Sequence, residues 1–169
     1  VRSVEKESLK AIEGKPLAAA SRELGQEPSE LLFDVLLELQ GNASIVIFQQ
    51  SEDNVAAAMR KDYVAVGSDG LHAGVRPHPR LYGTFPRVLG RYVRELQVLT
   101  LPEAIRKMTS LSADLIGERL RGRLREGCYA DITVFDPLTV ADTATFTDPV
   151  RVPAGIRHVL VNGMPVVVD

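Results

Sequence analysis

Apolar residues in the first half of the chain recur with helical spacing, in segments separated by proline and glycine. Pro16 and Gly25 bracket the first segment, in the order expected for a helix that begins at proline and ends before glycine. Residues 30–40 carry four leucines and a valine on one helical face, which predicts a second helix. A third helix is predicted over residues 52–60, where Ser51 can serve as the cap.

Two shorter segments, residues 45–48 and residues 63–66, have the apolar composition of strands that are buried on both faces. These segments alternate with the predicted helices along the chain. That order favours parallel strands joined by crossover helices, so the sequence predicts a fold of the α/β class.

The second apolar segment leads directly into a Gly-Ser-Asp-Gly turn that contains Asp69. The loop that follows carries His72 and His78 together with several prolines and arginines. A carboxylate at the C-terminal end of a buried strand, facing such a loop, is where α/β barrels place catalytic groups. The same residues also fit a purely structural interpretation, a strand followed by an Asp-Gly turn.

Three more helices are predicted beyond this loop. They are a helix over residues 86–96 capped by Thr84, a helix over residues 102–108 capped by Thr100, and a short helix over residues 111–116. A glutamate three residues after Thr100 is expected to complete a capping box.

The sequence changes character near residue 118, where short alternating and turn-rich stretches replace the helical pattern. Asn162-Gly163, between two β-rich arms, is a strong signal for a hairpin turn. The sequence therefore predicts two parts, a helix-and-strand part over residues 1–117 and an all-β part over residues 118–169.

Composition narrows the range of functions. The 169 residues suffice for one domain, or for one medium and one small domain, and the hydrophobic content of 45% is ordinary for a globular protein. A net charge of -2 without a basic block gives no indication of nucleic-acid or membrane partners. A single cysteine favours the reducing cytoplasm over an oxidising compartment. The chain starts at Val1 without a signal-peptide pattern, and we expect it to be part of a longer protein.

The segments around the Asp69 turn are specific enough to indicate a family. Residues 67–71 (GSDGL) and residues 77–92 (PHPRLYGTFPRVLGRY) resemble the N-acyl-D-amino-acid deacylases, or D-aminoacylases, of the metal-dependent amidohydrolase superfamily. Further similar segments are residues 103–109, residues 122–136, residues 142–149 and residues 161–163. The resemblance covers essentially the whole chain. It implies the C-terminal part of a (β/α)8 barrel followed by a small β-sandwich segment.

The same resemblance implies zinc-dependent hydrolysis of N-acyl-D-amino acids. In that reaction Asp69 would contact the metal, accept a proton from the metal-bound water and return it to the leaving amine. Arg80 matches the position that binds the α-carboxylate of the substrate, a task that suits the bidentate guanidinium. Ser68 and Gly70 would shape the turn, and His78 would either lie close to the substrate or order its own loop.

Other residues with reactive side chains have structural interpretations. His72 departs from the usual family residue at its position and is not expected to be a ligand. His158 falls in a predicted strand arm, and Cys128 is interpreted as a packing residue. Asp131 and Asp136 are expected to serve turns and backbone hydrogen bonds.

The resemblance implies a His-x-His pair on the first barrel strand, a bridging ligand on an early strand and two later histidines as metal ligands, and none of these has a counterpart in this sequence. A zinc site needs at least three protein ligands. We therefore expect the chain alone to be inactive, and to pair with a missing N-terminal portion, to self-associate through exposed strand edges or to be marginally folded. The alternatives are a non-catalytic remnant or interaction module of amidohydrolase origin, and a dihydroorotase- or hydantoinase-like enzyme. Those two enzyme classes lack the arginine-containing segment at residues 80–87.

Overall fold

The described helices precede the described strands along the chain. In the computed structural model, which describes residues 7–42, 45–72 and 76–168, the protein mixes helices and strands. The helices are a 3₁₀ helix at Glu7–Ile12, α1 at Leu17–Leu24, α2 at Pro28–Glu38, α3 at Glu52–Met59, α4 at Arg80–Arg87, which continues as a π-helix at Val88–Glu95, α5 at Leu101–Met108 and α6 at Ser110–Leu115. The strands are β1 at Ile132–Phe135, β2 at Ile156–Val161 and β3 at Met164–Val168.

Helices α1 and α2 pack together on the 3₁₀ helix, and their sequence pattern predicts both. Gly25 ends α1 in the left-handed conformation, with a φ of 65°. Helix α2 begins at Pro28, the proline that precedes the predicted residues 30–40, because proline fits the first helical position and has no amide that needs a partner. The apolar faces form a cluster of Ile12, Ala20, Leu31, Val35 and Leu39.

The strands predicted at residues 45–48 and residues 63–66 do not form, so this prediction is wrong. Neither segment has a ladder partner among the described residues, and a strand without neighbours lacks the hydrogen bonds that stabilise it. In the second segment the Val66 amide donates instead to the Lys107 carbonyl oxygen, at 3.1 Å. In the first segment the Phe48 side chain is 79% exposed, so the apolar run is not covered as its composition indicates.

The helix after the Asp69 loop begins earlier than predicted. The sequence places its start at residue 86 with Thr84 as the cap, whereas α4 begins at Arg80. Thr84 lies inside the helix, and its hydroxyl donates to the Arg80 carbonyl oxygen at 2.8 Å. Pro86 is typical of a first turn, but here it lies in the helix interior, and the ladder widens into the π-helix from Val88 onwards. Thr84 therefore does not cap the helix, and the predicted cap is wrong.

Helix α5 agrees with its predicted position. Thr100 caps it by accepting a hydrogen bond from the Glu103 amide at 3.4 Å, which confirms the predicted cap. The Glu103 carboxylate does not complete the capping box, since it accepts two hydrogen bonds from Arg106, both at 2.8 Å. The short helix α6 follows directly, close to its predicted bounds.

The π-helix packs against the segment between β1 and β2. The shared cluster contains Val88, Leu89, Tyr92, Leu99, Ala104 and Val140. A Cβ atom on Gly90 would lie 2.8 Å from the Val140 carbonyl oxygen, so the close approach depends on glycine. Arg94 donates to the same carbonyl oxygen at 2.7 Å. One core therefore joins the helical part of the chain to the segment that leads into β2.

Strands β1, β2 and β3 form an antiparallel sheet in chain order. Asn162 and Gly163 connect β2 to β3 with φ angles of 53° and 80°, which is the left-handed pair that a two-residue hairpin turn requires. The predicted hairpin is confirmed. All residues of β3 are exposed. The boundary near residue 118 stays a prediction.

Candidate functional site

The Asp69 turn lies against the first turn of α4. Asp69 adopts a φ of 46°, a left-handed conformation that aspartate tolerates better than most residues. The Ser68 hydroxyl oxygen accepts a hydrogen bond from the Gly70 amide at 3.3 Å. A Cβ atom on Gly70 would lie 3.0 Å from Leu81 Cδ1 and 3.2 Å from Leu81 Cα. A glycine at position 70 therefore allows the turn to approach the helix closely.

This approach brings Asp69 and Arg80 into direct contact. Arg80 Nη2 lies 2.8 Å from Asp69 Oδ2, and the side chains are 40% and 77% exposed respectively. Arg80 Nε is buried and has no hydrogen-bond partner among the described residues. The sequence therefore identified two residues that the fold brings together, although it did not predict that they pair with each other.

His78 supports the start of the same helix. Its Nδ1 atom accepts a hydrogen bond from the Arg80 backbone amide at 3.0 Å, which resembles the contact that Asx side chains make two residues ahead. The His78 ring meets Phe146 edge-on at a centroid distance of 5.2 Å, and Phe146 meets Phe48 at 4.9 Å. This geometry favours the interpretation of His78 as a residue that orders its loop. Its role toward a substrate stays a prediction, as do those of Ser68, Gly70 and Arg80.

A second polar network lies further along α4 and the π-helix. Arg87 Nη1 donates to Asp142 Oδ2 at 3.0 Å, and Arg91 Nε donates to Glu52 Oε1 at 3.2 Å. Burial raises the pKa of Tyr92, and its hydrogen bond to Glu52 raises it further. The same hydrogen bond, together with the Arg91 charge, holds the pKa of Glu52 below its usual value. These contacts connect α4 to the segment after β1, and the π-helix to α3.

Four of the other residues weighed in the sequence lie in the C-terminal part of the chain. Asp131 accepts a hydrogen bond from the Asn162 amide at 2.8 Å, and Asp136 accepts one from the Leu138 amide at 2.9 Å. Both predicted backbone roles are therefore confirmed. His158 lies on β2, as predicted. Cys128 is half-buried, with its sulfur 3.9 Å from a backbone carbonyl oxygen.

The residues that the structure describes do not provide a metal site by themselves. Within residues 7–42, 45–72 and 76–168, no three His, Cys, Asp or Glu side chains are grouped closely enough to hold one. Asp69 is the candidate ligand that the sequence identified, whereas zinc requires at least three protein ligands. An open hollow of about 520 Å³ at the start of α5 contains none of the predicted site residues.

The comparison with known proteins decides the family. The sequence pattern of the amidohydrolase family matches residues 2–167. The chain belongs to the amidohydrolase family. A D-aminoacylase of Alcaligenes xylosoxydans xylosoxydans is 48% identical over 144 residues, which are 85% of this chain and 30% of that protein. The resemblance that the sequence indicated is therefore confirmed.

Solved structures agree with this membership of the amidohydrolase family. A crystal structure of D-aminoacylase has a TM-score of 0.85 and 43% identity, over 96% of this chain and 33% of that chain. The N-acyl-D-glutamate deacylase of Bordetella bronchiseptica has a TM-score of 0.82 and 41% identity, over 94% of this chain and 32% of that chain. That enzyme was solved with zinc and a phosphonate inhibitor that mimics the tetrahedral intermediate.

The chain spans about a third of the length of these amidohydrolase relatives. Across the described ranges, no helix combines the length and the apolar character needed to cross a membrane.

Proposed function

We propose that this chain is the C-terminal portion of an N-acyl-D-amino-acid deacylase, which hydrolyses the amide bond to a carboxylate and a free D-amino acid. The contact between Asp69 and Arg80 carries the proposal, because it places a proton-accepting carboxylate 2.8 Å from a carboxylate-binding guanidinium. The deacylases among the relatives support the same reaction class.

In this proposal the two residues act on different parts of the substrate. Asp69 accepts the proton of the attacking water while the water oxygen bonds to the acyl carbon, and it returns the proton to the nitrogen when the C–N bond breaks. Arg80 binds the α-carboxylate and so holds the amide over Asp69. Ser68 and Gly70 keep the turn in place. A zinc site would be built mainly by residues outside this chain, with Asp69 as a contact.

The architecture of the whole enzyme belongs to the same proposal. Residues 1–117 would complete a (β/α)8 barrel, and residues 118–169 would belong to a small β-sandwich, in a cytoplasmic protein. The exposed apolar run at residues 45–48 and the open strand β3 are surfaces that an N-terminal portion would cover. Self-association through the same edges is the competing outcome.

Complementation tests the proposal. The chain is mixed with the separately produced N-terminal portion of a related D-aminoacylase and with zinc, and release of the free amino acid from an N-acetyl-D-amino acid is measured. We expect a one-to-one assembly with activity. In that assembly, Asp69→Asn should lower kcat by about 10²- to 10⁴-fold, the range for a general acid–base. Arg80→Met should mainly raise KM.

Asp148→Asn is the matched control for Asp69→Asn. Asp148 is also an exposed carboxylate beside an arginine, with Arg151 Nε at 3.4 Å, and its substitution should leave turnover unchanged. A stable assembly without hydrolysis would favour a non-catalytic remnant of amidohydrolase origin. Full activity of the Asp69→Asn assembly would refute the proposed role of Asp69.

A further inference from the structure

Lys107 has a charged side chain in the interior of the protein. Its side chain is 1% exposed, on the same face of α5 as the fully buried Ala104. Its ammonium donates to the Lys61 carbonyl oxygen and, at 3.0 Å, to the Val64 carbonyl oxygen. Glu103 Oε1 lies 3.5 Å away. A buried ammonium is costly unless its donors are used, and here two of them hold the backbone of a single segment.

The same segment is attached to α5 at two further points. The Val66 amide donates to the Lys107 carbonyl oxygen at 3.1 Å, and Arg106 Nη2 donates to the Asp62 carbonyl oxygen at 2.8 Å. Residues 61–66 are thus hydrogen-bonded to the end of α5, and no strand pairs with them in the part of the chain that the structure describes. The Lys61 and Val64 carbonyl oxygens accept hydrogen bonds from the Lys107 ammonium, and the Asp62 carbonyl oxygen accepts one from Arg106.

This attachment ends where the Asp69 turn begins. Val66 is three residues before Asp69, and on the other side of the turn Gly70 packs on Leu81. The turn is therefore supported from two directions, by α5 before it and by α4 after it. Both supports include a charged donor, Lys107 on α5 and Arg80 on α4, and hydrogen bonds from charged groups are the stronger ones.

We propose that Lys107 is a positioning residue that fixes the Asp69 turn by holding the carbonyl groups of Lys61 and Val64 in the segment that leads into it. The inference rests on the proposed function only in giving Asp69 a role in the reaction. The positioning itself is a property of this chain and can be tested without any activity.

Hydrogen exchange of the intact chain provides the test. In the native chain, the Val66 amide should be protected together with α5. In Lys107→Met, which keeps an unbranched side chain without the ammonium, peptides from residues 61–70 should lose about 10- to 100-fold of their protection, the ratio expected when hydrogen bonds to a charged donor are removed. Peptides from α4 and the π-helix should keep theirs. Lys61→Met makes the same change at an exposed lysine of the same segment. It should leave the protection of both sets of peptides unchanged.

Two results would overturn the inference. One is an unprotected Val66 amide in the native chain, which needs no variant and so stands even if Lys107→Met does not fold. The other is a uniform loss of protection in Lys107→Met, since that would indicate general destabilisation. In the complemented enzyme, Lys107→Met should lower kcat more than it raises KM. If the native assembly is inactive, the proposed function fails, while the exchange result still decides the positioning.

Discussion

Replacement of Gly155 by alanine tests how the segment after β1 is held to the rest of the protein. Gly155 has a φ of 73°, and an added Cβ atom would lie 2.5 Å from Val140 N, 2.6 Å from Val140 Cα and 2.8 Å from the Thr139 carbonyl carbon. All of these are backbone atoms, so no flexible side chain can move aside. Val140 is itself 1% exposed in the core shared with the π-helix.

The expected cost has two parts. A non-glycine residue in the left-handed conformation costs about 1–2 kcal/mol. Forcing an extra methyl group against packed atoms costs about 1–3 kcal/mol. We therefore expect Gly155→Ala to lower the free energy of unfolding by about 2–5 kcal/mol. Gly127→Ala is the matched control, because its φ of 82° carries the conformational cost while nothing lies within 4 Å of the added atom.

Urea denaturation of the two variants and the native chain measures both parts. The difference between Gly155→Ala and Gly127→Ala isolates the steric part and should be at least about 1 kcal/mol. Equal stabilities of the two variants would refute the close approach of Gly155 to Val140.

Three further predictions concern the same core and its supports. Val140→Ala should lower the free energy of unfolding by about 2 kcal/mol, measured by denaturation, because it removes buried apolar atoms and leaves a cavity. Thr100→Ala should cost about 1 kcal/mol through loss of the α5 cap, and an unchanged stability would contradict the observed cap. The hydrogen bond from Arg106 lowers the pKa of Glu103 from 4.5 to about 2. The Glu103–Arg106 pair therefore stabilises the fold above pH 4.5, and this stabilisation is lost as the pH falls toward 2. In Glu103→Gln, the free energy of unfolding should depend less on pH over this range. An unchanged pH dependence would contradict the stabilising role of the Glu103–Arg106 pair.

Elements with local signals could be predicted from the sequence. The helix between Pro16 and Gly25, the Thr100 cap and the Asn162-Gly163 turn each depend on residues close together in the chain, and each is present in the structure. The start of α4 was misplaced because Pro86, a local signal for a first turn, lies inside the helix, whereas the actual start is at Arg80, whose amide donates to His78 Nδ1.

Elements that depend on distant partners could not be predicted. The apolar composition of residues 63–66 indicates a strand, but a strand exists only with neighbours, and the actual partner is Lys107 on α5. The contact of Arg87 with Asp142 likewise joins residues far apart in sequence. One signal was present, since a lysine on the same helical face as Ala104 breaks the apolar pattern of α5. Its meaning becomes clear only when the carbonyl groups around it are known.

The pairing of Asp69 with Arg80 bears on whether both can act in one reaction. In this structure the Asp69 carboxylate is bound to the Arg80 guanidinium. A substrate carboxylate must therefore share the guanidinium with Asp69 or displace Asp69 from it. Asp69 is 77% exposed, and ion pairs at such exposed positions contribute little to stability, so displacement is inexpensive. Arginine also has five N–H donors, and the Arg80 side chain is 40% exposed. The guanidinium therefore retains donors for a second carboxylate, and release of Asp69 on binding would free its oxygens for the proton transfer proposed for it.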